Sequence, residues 1–337
     1  MVFFHILAGR SYSVRGVMSV KNKVIISCLA ILLIFLTGFA YYVFVWRFNI
    51  SEPMSDLEYK KEIIQKSHNI LYKLENLRPV VGEEELLEFI KANNNNPEIY
   101  TPSQENIKNG VFRANLHMHT LQSDGNASVK QRLDAAQEYA QNNIKDGYMY
   151  IAITDHNTIL GAKEAVEILQ KYPKQYKNIK VILGMEVFTA FKSKYYNQPV
   201  EIHVLNWCLN PYDEFLNKEF FKPEWANKWN RQDSDRDFDD VIEMMSNYAI
   251  PGVAHPIRYT NLTDRDKYME EMMSRYTALT KKPAFTEGYY QVYPRFYEKD
   301  FLEKEILPYM EYVNKKADEH NIIKTGSTDS HSMTIFD

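Results

Sequence analysis

At 337 residues the chain is long enough for one large domain or two modest ones, each with a sizeable core. Hydrophobic residues at 45% and charged residues at 25% are ordinary for a globular protein and exclude collagen, coiled coil or disorder as the main theme. With 40 Lys and Arg against 44 Asp and Glu, the net charge of -4 argues against holding extended duplex nucleic acid through its phosphates.

The chain opens on a basic stretch, residues 1–23, carrying Arg10, Arg15, Lys21 and Lys23 and no acid. The run Val24–Trp46, "VIISCLAILLIFLTGFAYYVFVW", has no charge and suffices to cross a hydrocarbon core of roughly 30 Å. It reads as a transmembrane signal anchor, with Tyr41, Tyr42 and Trp46 as an aromatic belt. The upstream positive charge puts the N-terminus in the cytoplasm and everything after Arg47 outside, in the periplasm or at the cell surface. A cleaved signal peptide is the alternative, with Gly38-Phe39-Ala40 as a passable cleavage site; a buried core helix fits less well. Met18 is a plausible second start, and the topology argument holds from either. The two cysteines, Cys28 and Cys208, form no framework and no zinc motif, and Cys28 precedes its apolar run rather than following it as lipoprotein processing requires.

Residues 47–100 read as a helical linker. "SDLEYKKEIIQKSHNILYKLENL" is an amphipathic helix with Ser55 and Glu58 as a capping box and a stripe of Ile63, Ile64, Ile70, Leu71 and Leu74. A shorter helix near 83–91 stops at "NNNNP". The main domain then occupies 101–337. Strands are expected near 111–117, 148–154, 180–187, 200–207, 251–255, 283–287 and 322–326. Helical patterns such as "SVKQRLDAAQEYAQNN", "LGAKEAVEILQKY", "DRDFDDVIEMMSNYA" and "KDFLEKEILPYMEYVNKKADEH" separate most of them. That alternation predicts an α/β fold, and a barrel is preferred because barrel enzymes collect functional side chains at the C-terminal ends of several strands.

The unusual residues fall at such ends. "LHMHTLQSDG" carries His117 and His119, which point the same way if extended, and Asp124 in a following turn. "AITDHNT" adds Asp155 and His156, "ILGMEV" adds Glu186, "EIHVLNW" His203, "PGVAHPIRY" His255, and "TGSTDSH" Asp329 and His331. Taken singly, His203 or His255 reads as a core or surface residue with a satisfied hydrogen bond, and His5, His68 and His320 keep that reading. Six of nine histidines at strand ends do not read as coincidence. At about three to four protein ligands per ion, nine imidazole and carboxylate donors suffice for two or three divalent metals. Zn, Mn and Fe all suit such donors.

Together these segments resemble, in order and spacing, the motifs of the polymerase and histidinol phosphatase (PHP) family over about residues 112 to 331. The resemblance implies a distorted seven-stranded (β/α) barrel with a trinuclear site. It implies that His117, His119, Glu186 and Asp329 hold one ion, Glu186, His203 and His255 a second, and Asp124, His156 and His331 a third. Glu186 as a bridge would let two ions share a water and lower its pKa, giving a hydroxide to attack phosphorus, with the third ion offsetting phosphate charge. Asp155 would orient a ligand imidazole or assist proton transfer, or else simply cap a turn; Arg258 would clamp the phosphate or make a surface salt bridge. The segment between His203 and His255 carries Trp207, Tyr212, Phe215, Phe220, Phe221, Trp225 and Trp229, expected as local core, with stacking on a base or sugar as the sharper alternative.

The expected function is therefore a membrane-anchored, extracytoplasmic metal-dependent phosphoesterase. Its substrate would be a small phosphate ester or a short oligonucleotide cleaved as by an exonuclease. The competing class is a non-catalytic metal-binding or sensory module on a membrane anchor.

Overall fold

A computed structural model of the chain describes residues 74, 77–220, 236–256, 264–290 and 299–336. The chain divides by its internal contacts into Met1–Lys61 and Glu62–Asp337, and the described residues all belong to the second unit. The expected membrane span Val24–Trp46 and most of the amphipathic helix after it lie outside the described residues, among which no helix is long and apolar enough to cross a membrane. His5, His68 and Cys28 also lie outside them.

Seven strands form one sheet in chain order: β1 (Ala114–Asn115), β2 (Met149–Ile153), β3 (Ile179–Phe191), β4 (Val200–Trp207), β5 (Ile250–Val253), β6 (Phe285–Tyr290) and β7 (Ile323–Ser327). Its edges meet just beyond β1 and β7. There the His119 N–H donates to the Ser330 carbonyl (2.9 Å) and the Ser330 N–H to the His117 carbonyl (3.2 Å), making a nearly closed barrel. Helices α1 (Glu83–Ala92), α2 (Gln104–Lys108), α3 (Val129–Asn143), α4 (Leu160–Lys171), α5 (Glu214–Phe220), α6 (Phe238–Met245), α7 (Arg265–Leu279) and α8 (Leu307–Glu319) accompany the strands.

The expectation that every functional residue closes a strand needs correction at two positions. β3 runs thirteen residues, so Glu186 lies inside it, and β4 pairs with β3 and with β5 antiparallel, so His203 lies inside β4 opposite Phe188. Residues 192–199 are too few for the crossover of a dozen or more residues that a parallel strand needs, so the chain turns back directly. The remaining neighbours, β1–β2–β3 and β5–β6–β7, are parallel.

Two apolar layers follow from the two faces of each strand. Ile151, Ile153, Val181 and Leu183 pack outward with Leu133, Val166 and Leu169 of the helices, while Ala152 and Ile182 point inward. Inside the barrel, the Trp207 ring stacks on Phe285 at 3.6 Å and its indole N–H donates to the Leu116 carbonyl at 3.0 Å. Below them lie Leu86, Ile90 and Tyr100, fully buried, from the segment expected as helical linker, and the Val81 N–H donates to the Val181 carbonyl (3.0 Å). With apolar groups filling its interior and floor, the barrel leaves its polar residues for the opposite mouth. α3 is started there by a reciprocal capping box between Ser128 and Gln131, immediately after the turn that carries Asp124.

Candidate metal centre

The four residues His117, His119, Glu186 and Asp329 meet at the mouth, all buried. His117 Nε2 is 3.0 Å from His119 Nε2, 2.9 Å from Glu186 Oε2 and 3.3 Å from Asp329 Oδ1. His119 Nε2 is 3.3 Å from Glu186 Oε2 and 3.0 Å from Asp329 Oδ1. Donors bound tetrahedrally at about 2.0 Å stand roughly 3.3 Å apart, so this spacing suits one small divalent cation.

Glu186 links this group to the rest. Its other oxygen, Oε1, is 2.8 Å from His203 Nδ1 and 3.0 Å from His255 Nε2. His156 Nδ1 approaches Oε2 at 2.9 Å and, with Glu186 and His203, makes a second compact donor group. The third centres on Asp124, whose Oδ2 is 3.3 Å from His331 Nε2 and 3.6 Å from His156 Nε2, and whose Oδ1 is 3.7 Å from His119 Nδ1. All nine residues singled out as ligands thus come together. The grouping differs in detail from that implied by resemblance, because His119 and His156 each stand between two groups.

The chemistry of the donors supports a cation. His119 Nδ1, His156 Nδ1 and Glu186 Oε2 are buried without a hydrogen-bond partner, although His156 Nδ1 and Glu186 Oε2 are only 2.9 Å apart. Atoms this close that do not bond to each other present their lone pairs to a common point, and buried polar atoms left that way are costly without an occupant. Several ring tautomers agree: the nitrogen of His331 away from Asp124, Nδ1, faces the Asp329 carbonyl at 2.8 Å, and His203 Nε2 faces Glu201 Oε1 at 3.1 Å. His255 and Asp329 hold left-handed backbone (φ 28° and 49°), as does Asn157 (φ 50°) beside His156; such strain gathers at functional sites.

Without cations the groups lean on one another electrostatically. Burial alone would lower the pKa of His117, but the charges of Glu186, Asp329 and Glu287 outweigh it and hold it well above the ordinary histidine value. His119 is likewise pushed up to about 9 against burial by Asp329, which its Nε2 meets at 3.0 Å, and by the nearby carboxylates of Glu186 and Asp124. Burial and the neighbouring His119 charge take His156 down to about 4. Burial would raise Glu186, yet His117, His156 and His203 hold it well below the carboxylate range. Asp124 is held low against its burial by His331, His119 and His156.

Asp155 takes the turn-capping role left open in the sequence. Its Oδ1 accepts the Thr120 N–H (2.7 Å) and the Ser123 hydroxyl (2.7 Å), and Oδ2 accepts the Thr120 hydroxyl (2.8 Å), so it holds the turn between His119 and Asp124. Gly161 makes room for it, since a Cβ there would lie 1.9 Å from Asp155 Oδ2. Gly125 answers for the Ser-Asp-Gly sequence in the same way: a Cβ would sit 2.4 Å from the His119 carbonyl, over which the turn folds. Asp155→Ala, leaving buried donors unpaired, is expected to cost about 3 kcal/mol in urea unfolding. A loss below about 0.5 kcal/mol would contradict this role.

Arg258, Phe221, Trp225 and Trp229 lie outside the described residues. Of their neighbours, Trp207, Tyr212 and Phe220 are buried in the core and unavailable for stacking on a base, and Phe215 stacks on Tyr248 at 4.8 Å. The aromatic richness of the whole chain, at 14%, already favoured core. His320 pairs with Glu270 at 2.9 Å, away from the cage.

Two buried residues escaped the sequence reading. Arg132, on α3, donates to the carbonyls of His119 (2.9 Å) and Ser330 (2.9 Å), tying together the segments that follow β1 and β7; in a polar helical stretch nothing marked it. Glu287 lies behind His117, and its signal was available: it ends the apolar start of β6 as the other acids end theirs.

The PHP domain family model matches residues 115–316. A stretch of 107 residues is 29% identical to the DNA polymerase/3'-5' exonuclease PolX of Bacillus subtilis (strain 168), covering 29% of this chain and 18% of that protein. An amidohydrolase structure from Chromobacterium violaceum, with bound sulfate and no metal, is similar at 15% identity and a TM-score of 0.45, over 65% of this chain and 88% of the other. A structure from Bifidobacterium adolescentis, named as a candidate metal-dependent phosphoesterase, is similar at 15% identity and a TM-score of 0.42, over the same shares.

Proposed function

The chain belongs to the PHP domain family, and from that premise we propose that it is a metal-dependent phosphoesterase with nine ligands at the barrel mouth: His117, His119, Asp124, His156, Glu186, His203, His255, Asp329 and His331. The observation that carries the reading is Glu186, a fully buried carboxylate with imidazole nitrogens within about 3 Å of each oxygen.

Bound there, divalent ions would supply an activated water near neutral pH and positive charge toward the phosphate oxygens. The chain's own residues arrange the rest. His117, His119, Glu186 and Asp329 form the closed inner end, whereas the side chains of Asp124 and His331 are 32% and 34% exposed. The substrate therefore arrives on the Asp124 and His331 side. Asp155 fixes that side by holding the Thr120–Ser123 turn. Arg132 holds the His119 and Ser330 backbones.

The substrates proposed are small phosphate esters or short oligonucleotides. The net charge of -4 favours the smaller, and the exonuclease named in the PolX relative is what favours the oligonucleotide. The purified full chain, loaded with Mn or Zn, is expected to hydrolyse p-nitrophenyl phosphate or its bis ester. No turnover of either, or of nucleotides, by protein that retains its metal would favour a non-catalytic binding module.

The location proposed is a membrane surface, with Val24–Trp46 as anchor and the barrel outside the cytoplasm; the uncharged run and its basic upstream flank support it. A reporter fused after Asp337 should be active only outside the cytoplasm. A cytoplasmic reporter would overturn the orientation.

A further inference from the structure

β6 is the strand to which the sequence reading assigned no functional residue, yet it sets a fully buried carboxylate, Glu287, behind the cage. His117 Nδ1 lies 3.2 Å from both of its oxygens. Oε2 also accepts the backbone N–H of His255 at 2.7 Å, and Oε1 accepts the Ser327 hydroxyl. These partners follow β1, follow β5 and end β7, so one side chain ties three other strands together at the mouth.

We propose that Glu287 is a positioning residue of the metal centre, fixing the tautomer and direction of His117 and the backbone of His255. The proposal rests on the metal-dependent reading above. Both Glu287 oxygens accept hydrogen bonds, from the His255 N–H and the Ser327 hydroxyl, so the carboxyl group meets His117 as an acceptor; the imidazole nitrogen facing it carries the proton, and the lone pair is left on the other nitrogen. In His117 that other nitrogen is Nε2, the atom 2.9 Å from Glu186 Oε2 and 3.0 Å from His119 Nε2. Glu287 lies on the far side of the ring from those donors, so it orients a ligand and is not one itself. A negative charge behind the ring also makes Nε2 a stronger donor. His255 has the left-handed φ of 28°, a conformation that needs an outside partner to persist, and the charge-assisted hydrogen bond from its N–H to Glu287 is such a partner.

The test is zinc affinity of the full chain against a competing chelator, together with the Nδ1–H proton signal of His117 in the zinc-loaded, histidine-labelled protein. Glu287→Gln is expected to weaken zinc binding about 10- to 100-fold and to shift or abolish that signal, which a merely structural role would leave in place. Wild-type affinity with an unchanged signal overturns the proposal. If Glu287→Gln does not fold, Glu287→Asp, which keeps the charge and draws back by one methylene, should show the same loss; wild-type affinity there overturns it equally. If the wild-type chain cleaves no phosphate ester while zinc affinity still depends on Glu287, the phosphoesterase reading fails and the positioning role stands.

Discussion

Glu186→Gln is expected to remove metal and activity together. The substitution keeps the side chain's shape but replaces one oxygen with an NH2 group, which offers protons where lone pairs are needed. Whichever way the amide turns, it sets those protons against imidazole nitrogens, because His203 and His255 crowd Oε1 while His117 and His156 crowd Oε2. The buried negative charge that attracts cations is lost as well. Changing a residue that merely orients a ligand already costs about 10- to 100-fold in metal affinity. Losing the carboxylate that joins two donor groups is expected to cost more than about 100-fold, with hydrolysis falling at least as far. Metal content by mass spectrometry, alongside circular dichroism to show a retained fold, makes the comparison. Full metal content in the variant would remove Glu186 from the centre of the account.

The second large effect is on stability. Metal that binds the folded chain at about 1,000 times its dissociation constant adds about 4 kcal/mol, or roughly 10 °C in Tm for a domain of this size. The gain should depend on pH. In the metal-free protein the pKa of His119 is raised to about 9. Its contribution to stability is then fully present below the unfolded value of about 6.5 and lost as pH rises through 9. In the loaded protein the same nitrogens carry no proton, and above about pH 7.5 neither does the unfolded chain, so that form stays level. The gap in Tm between loaded and metal-free protein should widen between pH 7 and 9, with protons released on loading. A gap that stays level or narrows over this range would show that His117 and His119 do not compete with the cation.

Much of the centre was legible because its logic is local. His117 and His119 are two residues apart, Asp329 and His331 likewise, and Asp155, Glu186, His203 and His255 each lie in or directly after an apolar run. Glu186 and His203 were found as residues but misplaced as strand ends, since the antiparallel return of β4 depends on the shortness of residues 192–199, a count easily passed over among strands that alternate with helices. Pairing of donors into groups was not legible at all. It depends on which ring nitrogen faces which neighbour, and His119 and His156 use both of theirs. Arg132 stayed hidden for a related reason: it acts on the His119 and Ser330 carbonyls, which only closure of the barrel brings near.

The packing of residues 80–100 under the barrel has the same origin. Val81, Leu86, Ile90 and Tyr100 form too short an apolar set to announce a strand or a long helix, yet the open floor of a seven-stranded barrel requires such a cover. With the floor sealed, polar chemistry is confined to one end, where backbone strain at His255 and Asp329 is held by the hydrogen bonds described above.

Anomalous diffraction at the zinc edge from crystals of the zinc-loaded full chain tests the central claim most directly. Density peaks are expected within bonding distance of His117 Nε2, His119 Nε2, Glu186 and Asp329, and next to Asp124 and His331. Zinc held only elsewhere on the chain, with these donors turned toward one another through hydrogen bonds, would contradict it.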